Sequence, residues 1–298
     1  MSVTRRRVLK GLAAVGTAAT VGVPHAAARE RKTLSPIDVG MLYDATRCIG
    51  CKACVVKCKE ANGLPPEPDP AAGSIYDAPV DLSASTNTVI RLYKEEGRMS
   101  YVKAQCMHCV VPSCASVCMI GAYHISDFGV VAYDPDKCVG CRYCQLACPF
   151  NIPKYQWNTA FPEMVKCEMC RHLLAKGSIP ACCEVCPRDA VIFGRVTDLL
   201  ADAKDRLVRY PNRYYPKIYG ESDAWGTKVL YLSAAGIPFE KIGLPAIGDE
   251  PVPELIESLQ HAIYHGFMLP VALYAGLGYM LLRNGKDGKG STGEEGEK

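Results

Sequence analysis

Charge of one sign is scarce in this sequence: among 298 residues, 34 lysines and arginines stand against 31 aspartates and glutamates, a formal net charge of +3. So even a balance argues against a phosphate-binding surface, an acidic partner and nucleic acid. Familiar catalytic signatures are missing too. There is no phosphate loop, no dinucleotide fingerprint and no Ser-His-Asp set, and the six histidines are scattered. The chain is therefore expected to have no substrate pocket and no catalysis of its own. Hydrophobic residues are not in short supply. They make up 49% of the chain, enough for buried cores in about two domains, which excludes a disordered chain and a disulfide-stapled miniprotein.

Cysteine is what the sequence has in abundance: seventeen, an odd number. Sixteen fall into four quartets, Cys48-x2-Cys51-x2-Cys54-x3-Cys58, Cys106-x2-Cys109-x4-Cys114-x3-Cys118, Cys138-x2-Cys141-x2-Cys144-x3-Cys148 and Cys167-x2-Cys170-x11-Cys182-x3-Cys186. Each opens with x2 and closes with x3, an internal repeat with one variable gap. The first and third match the bacterial ferredoxin run, and prolines 149 and 187 follow the third and fourth. Three cysteines within seven residues can wrap one face of an iron-sulfur cubane, each thiolate reaching a different iron, while the fourth points away. In two-cluster ferredoxins that distant cysteine ligates the other cluster, so quartets work in pairs. The expectation is an α+β fold of two ferredoxin-like modules holding four [4Fe-4S] clusters, with these sixteen cysteines as iron ligands.

Other uses of cysteine fit less well. Structural zinc takes two close pairs separated by a longer loop and has no use for a third cysteine three residues on. Adjacent C-x2-C cysteines are poor disulfide staples. A [3Fe-4S] variant of one cluster stays open, although no quartet lacks a ligand. Cys182 rather than Cys183 gives the x3 closure shared by the other quartets, so Cys183 is expected to be a small buried non-ligand.

The two ends carry targeting signals. Arg5-Arg6-Arg7-Val8-Leu9-Lys10, a mildly apolar run and Ala26-Ala27-Ala28 read as a signal peptide over residues 1–28, and the paired arginines resemble a twin-arginine export signal. That route carries folded, cofactor-loaded proteins. Residues 258–282 contain 25 residues without a formal charge, a helix of about 37 Å against a hydrocarbon core of about 30 Å. Glu254 and Glu257 precede this run and Arg283, Lys286 and Lys289 follow it, which puts the C-terminus in the cytoplasm. Pro270 should kink such a helix, and the small pair Ala272 and Gly276 suits contact with a membrane-embedded partner. A single-pass protein with an extracytoplasmic, periplasmic body is expected. Its parts are a signal peptide (1–28), a four-cluster domain (29–200), an extension or linker (201–254), a transmembrane helix (255–283) and a disordered tail (284–298).

Locally, residues 122–133 alternate around a turn at Asp127 to Gly129 and predict a β-hairpin. Residues 190–194 predict a strand, and residues 88–103 two more strands around Glu96-Gly97. The proline-dense stretch 63–79 reads as a surface loop. Lys103, Lys154 and Lys166 lie close to the quartets, where a positive charge would raise a nearby potential, but the expectation is solvated surface lysines.

Met41-Leu42-Tyr43-Asp44, Gln105-Cys106-Met107-His108-Cys109-Val110, Gly140-Cys141-Arg142-Tyr143-Cys144 and Asn151-Ile152-Pro153-Lys154-Tyr155 carry a resemblance through the core. The sequence is similar to the four-cluster iron-sulfur subunits of the dimethyl-sulfoxide-reductase and formate-dehydrogenase enzyme groups. Tyr214-Tyr215-Pro216-Lys217-Ile218-Tyr219-Gly220 and Tyr264-His265-Gly266-Phe267-Met268-Leu269-Pro270 favour the branch that serves membrane-bound [NiFe] hydrogenases. The resemblance implies a non-catalytic electron-transfer subunit between the hydrogenase subunits, or a molybdenum or tungsten enzyme, and a quinone-reactive integral membrane subunit. It also implies that the first quartet pairs with the fourth and the second with the third. One cluster then takes Cys48, Cys51, Cys54 and Cys186, and its neighbour Cys167, Cys170, Cys182 and Cys58. The inner pair takes Cys106, Cys109, Cys114 with Cys148, and Cys138, Cys141, Cys144 with Cys118. Met119 stands after Cys118 where the family usually has proline.

Overall fold

Val39–Asp44, a short apolar run, forms the central strand β1 in the computed structural model, which describes residues 33–67, 79–95, 97–249 and 270–280. In chain order there follow α1 (Ala53–Asn62), β2 (Val89–Glu95), β3 (Arg98–Ala104), α2 (Ser113–Ser116), β4 (Tyr123–Ile125) and β5 (Val131–Tyr133). Then come α3 (Tyr143–Ala147), β6 (Lys154–Tyr155), β7 (Met164–Val165), α4 (Arg171–Leu174), α5 (Ala181–Glu184), β8 (Val191–Arg195), α6 (Val196–Arg209) and β9 (Val229–Leu232). The architecture is α+β.

Strand β1 lies between β8, antiparallel with Met41 opposite Phe193, and β9, parallel with Leu42 opposite Leu230. Both faces of this sheet are covered, which is why β1 is apolar almost throughout. Side chains alternate from face to face along a strand. Met41 and Tyr43 join a core that includes Cys54, Cys182, Val229 and Tyr231. Leu42 joins Leu230, Leu232 and the apolar stripe Val196, Leu199 and Ala203 of α6. Helix α6 therefore backs one face, and the cysteine-bearing loops cover the other. Helix α6 also carries the i,i+4 ion pairs Asp202–Arg206 and, on its exposed side, Asp205–Arg209. Gly40 is needed where β1 meets the segment before β9, because a Cβ there would lie 2.0 Å from the Lys228 carbonyl oxygen.

Three two-stranded hairpins complete the sheets. Strands β2 and β3 pair from Val89 with Ala104 to Glu95 with Arg98. Strands β4 and β5 pair around the turn at Asp127 to Gly129, where Gly129 N–H donates to the Ser126 carbonyl. Both hairpins, and the strand after the fourth quartet, match their sequence signals. Strands β6 and β7 form a shorter pair.

The expected signal peptide (1–28) and C-terminal tail (284–298) lie outside the described residues, as does most of the expected 63–79 loop. Of the expected membrane span only residues 270–280 are described. They are helical, with Val271, Tyr274, Tyr279 and Met280 exposed. Among the described residues no helix is long and apolar enough to cross a membrane.

Candidate iron-sulfur centres

Each quartet is built from a tight loop followed by a helical turn. The loops use left-handed backbone: Gly50 and Lys52 in the first quartet, Gly140 and Arg142 in the third, and Met169 and Cys170 in the fourth all have positive φ. Such a bend curls backbone N–H groups around the opening sulfur. Cys48 Sγ accepts from Gly50 N–H at 3.5 Å, Cys138 Sγ from Gly140 N–H at 3.4 Å and Cys167 Sγ from Met169 N–H at 3.4 Å. The closing sulfurs are held the same way, Cys118 by Ala122 N–H and Cys186 by Ala190 N–H, both at 3.2 Å. The third cysteine of every quartet sits on a short helix, and the x3 spacing carries the chain one turn further to the fourth.

Four cavities result, each lined by four of these thiols. Cavity I gathers Cys48, Cys51, Cys54 and Cys186. Cavity II gathers Cys58, Cys167, Cys170 and Cys182. Cavity III gathers Cys106, Cys109, Cys114 and Cys148, and cavity IV Cys118, Cys138, Cys141 and Cys144. Every quartet splits three and one: its first three thiols line one cavity and its last lines the cavity of another quartet. Quartets one and four thus share two cavities, and quartets two and three share the other two. Cys183 is buried and lines none of the four.

The cavities form a row. Cavities I and II share the wall residue Lys103, and Cys48, Cys54 and Cys186 of cavity I share a core cluster with Cys182 of cavity II and Cys109 of cavity III. Cys167 of cavity II shares another with Cys106 and Cys148 of cavity III. Cys114 of cavity III meets Cys118, Cys138 and Cys144 of cavity IV. The two exposed thiols, Cys51 and Cys141, belong to the cavities at the ends.

Burial makes a bare thiolate unfavourable in these walls. It pushes the Cys54, Cys144 and Cys148 thiols up to about 11 and Cys58 to about 12. Cys182 goes the other way, held below the ordinary thiol range by the adjoining Cys183 thiol and by Lys103. Buried sulfur donors of this kind suit a metal centre, whose positive charge supplies what the apolar walls withhold. Among the described residues no group of three or more His, Cys, Asp or Glu side chains is placed to hold a single metal ion. Four thiols spread around a cavity suit a polynuclear cluster, with each sulfur on a different iron, better than one tetrahedral zinc.

The sequence points to Lys103, Lys154 and Lys166 but to solvated positions for them, and it gives no notice of Asn62. Lys103 and Lys166 are buried, not solvated, while Lys154 is half-buried. Lys166 lines cavity III, and its Nζ donates to the Val131 and Cys167 carbonyls. Asn62, one turn after Cys58, donates to the Cys58 carbonyl at 2.7 Å and lines cavity II. A charged residue carries no local signal of burial, because its partners come from other strands. The one local signal that could have found Asn62 is its i,i+4 offset from Cys58.

Residues 97–196 match the 4Fe-4S dicluster domain family. The chain is 40% identical to the hydrogenase-2 operon protein HybA of Escherichia coli O157:H7, over 98% of this chain and 99% of that protein. It is 36% identical to the formate dehydrogenase iron-sulfur subunit of Haemophilus influenzae, over 76% of this chain and 74% of that one. Against the nitrate-inducible formate dehydrogenase iron-sulfur subunit of Escherichia coli K12 the identity is 37%, over 70% and 72%. By its thiol-lined cavities and its nearly full-length likeness to HybA, the chain belongs to the HybA family of iron-sulfur electron-transfer subunits, related to the iron-sulfur subunits of formate dehydrogenases.

Proposed function

We propose that each of the four cavities holds one [4Fe-4S] cluster, with the sixteen lining cysteines as ligands, and that the chain carries electrons from a [NiFe] hydrogenase to a quinone-reactive membrane subunit. The observation that carries this reading is the three-and-one sharing of thiols, four to a cavity in two interlocked pairs. Bound clusters supply one-electron exchange; the protein sets how readily each accepts an electron. It does so through backbone N–H groups on Cys48, Cys138, Cys167, Cys118 and Cys186, through burial, and through nearby charge.

The row of cavities makes the chain a wire with two ends. At each end an apolar residue next to the first cysteine stands exposed beside an exposed thiol, Ile49 with Cys51 and Val139 with Cys141. These are surfaces on which redox partners can dock with little polar desolvation. The nearly full-length likeness to HybA favours a hydrogenase as donor. A molybdenum or tungsten enzyme is the second reading, favoured by the formate dehydrogenase relatives. The body, residues 29–200 with the extension 201–254, stands on the extracytoplasmic face after twin-arginine export directed by the signal peptide 1–28. A helix over 255–283 anchors it, and the tail 284–298 lies in the cytoplasm.

Iron and acid-labile sulfide in anaerobically purified protein test the reading. About sixteen iron atoms per chain are expected; a colourless protein with stoichiometric zinc overturns it. Metal analysis of the co-purified complex then separates the donors, nickel supporting the hydrogenase and molybdenum or tungsten the alternative.

A further inference from the structure

Lys103, on β3, is 1% exposed and lines both cavity I and cavity II. Its Nζ donates to Thr88 Oγ1 at 2.7 Å and to Gln105 Oε1. An ammonium has three donors, so these two neutral oxygens leave it a third. Among the described residues no aspartate or glutamate is a partner. The groups that act on its charge are the thiols Cys182, Cys54 and Cys167 and the Tyr231 hydroxyl. An isolated buried charge is costly, and a chain keeps one only where opposite charge compensates it. No carboxylate among the described residues supplies that compensation, and the groups that Lys103 faces are the cysteines of two cavities at once.

We infer that Lys103 is a potential-setting positioning residue, a fixed positive charge shared by cavities I and II that makes reduction at both easier than it would be without that charge. This rests on the reading that the cavities hold iron-sulfur clusters. The physical reason is Coulombic. Adding an electron to a negatively charged centre is favoured by a nearby cation, and a dry interior weakens that attraction less than water does. Gln105 and Thr88 fix the ammonium between the two cavities, so one charge acts on two neighbouring steps of the wire. An exposed lysine at the same distance would be screened.

The test is a potentiometric titration, followed by electron paramagnetic resonance, of the full chain purified anaerobically with its partners, after iron and sulfide have been counted. In Lys103→Met, with iron content equal to the parent, two of the reduction steps are expected to move to lower potential by at least a tenfold change in the one-electron equilibrium, about 59 mV. The other two steps stay where they were. Lys103→Arg, which keeps the charge, is expected to leave all the steps close to the parent. Should Lys103→Met fail to load iron, Lys103→Gln, which keeps a donor for Thr88 and Gln105, carries the same expectation. Full iron with unmoved potentials, or an equal shift of every step, overturns the role of Lys103. Iron far below about sixteen in the parent protein instead overturns the cluster reading beneath it.

Discussion

Gly50 and Gly140 occupy equivalent places in the first and third cysteine loops, with φ of +71° and +70°. A Cβ on Gly50 would stand 2.3 Å from the Tyr101 ring, whereas one on Gly140 would stand 3.0 Å from the Tyr155 hydroxyl. Gly50→Ala combines a strained backbone with a clash and is expected to cost about 1–3 kcal/mol. Gly140→Ala should cost less, because the Tyr155 hydroxyl can yield. Thermal melts followed by the visible absorbance check this order, and equal melting temperatures for both variants would refute it. Cys182 and Cys183 invite a sharper comparison. Cys182 lines cavity II and Cys183 lines none of the four. Cys183→Ala should therefore keep the full iron complement, and Cys182→Ala should lose up to about four iron atoms. The opposite result would move the ligand to position 183.

At the scale of elements, β1 is tied to α6 through one carboxylate. Asp44, 1% exposed, accepts from Arg206 Nη1 at 3.1 Å, from the Tyr214 hydroxyl at 2.8 Å and from Thr46 N–H and Oγ1 at 2.9 and 2.6 Å. Arg206 also pairs with Asp202 on its own helix, which fixes its side chain toward the strand. Arg206→Met keeps the apolar stem over the sheet but leaves the buried carboxylate with neutral donors only. A loss of about 3 kcal/mol is expected, roughly 6–12 °C in melting temperature for a domain of this size. Asp202→Ala, on the exposed side of the same network, should cost under about 1 kcal/mol. If both variants melt alike, the Asp44 contact is not what fastens α6 to β1.

Across the whole molecule, the described body ends at residue 249, and the helical residues 270–280 carry large exposed apolar side chains. A chain cut after residue 249 is expected to keep its iron and its visible spectrum, because all sixteen quartet cysteines and, among the described residues, every strand precede the cut. It should also leave the membrane fraction without detergent, whereas the full chain should need detergent. Sedimentation of washed membranes with iron analysis of both fractions reads the outcome. A truncated chain that stays on the membrane would place the anchor elsewhere, for instance on a partner subunit.

The sequence by itself determined what depends on near neighbours. Quartet spacing dictates a tight loop and a helical turn, glycines sit where the backbone must bend left-handed, and the turn at Asp127 to Gly129 closes its hairpin. It also carried the resemblance that led to the iron-sulfur family. Tertiary structure decided what depends on groups far apart in the chain. Strand β9 joins the sheet beside β1 from the far end of the body. The cavities fall in a row with Cys51 and Cys141 at its ends, and Lys103 is buried because Thr88, Gln105 and sulfurs from two quartets surround it. A lysine or a cysteine looks the same in a sequence whether water or protein surrounds it. Burial and charge compensation arise only when distant segments meet, and that meeting assigns the residue its role.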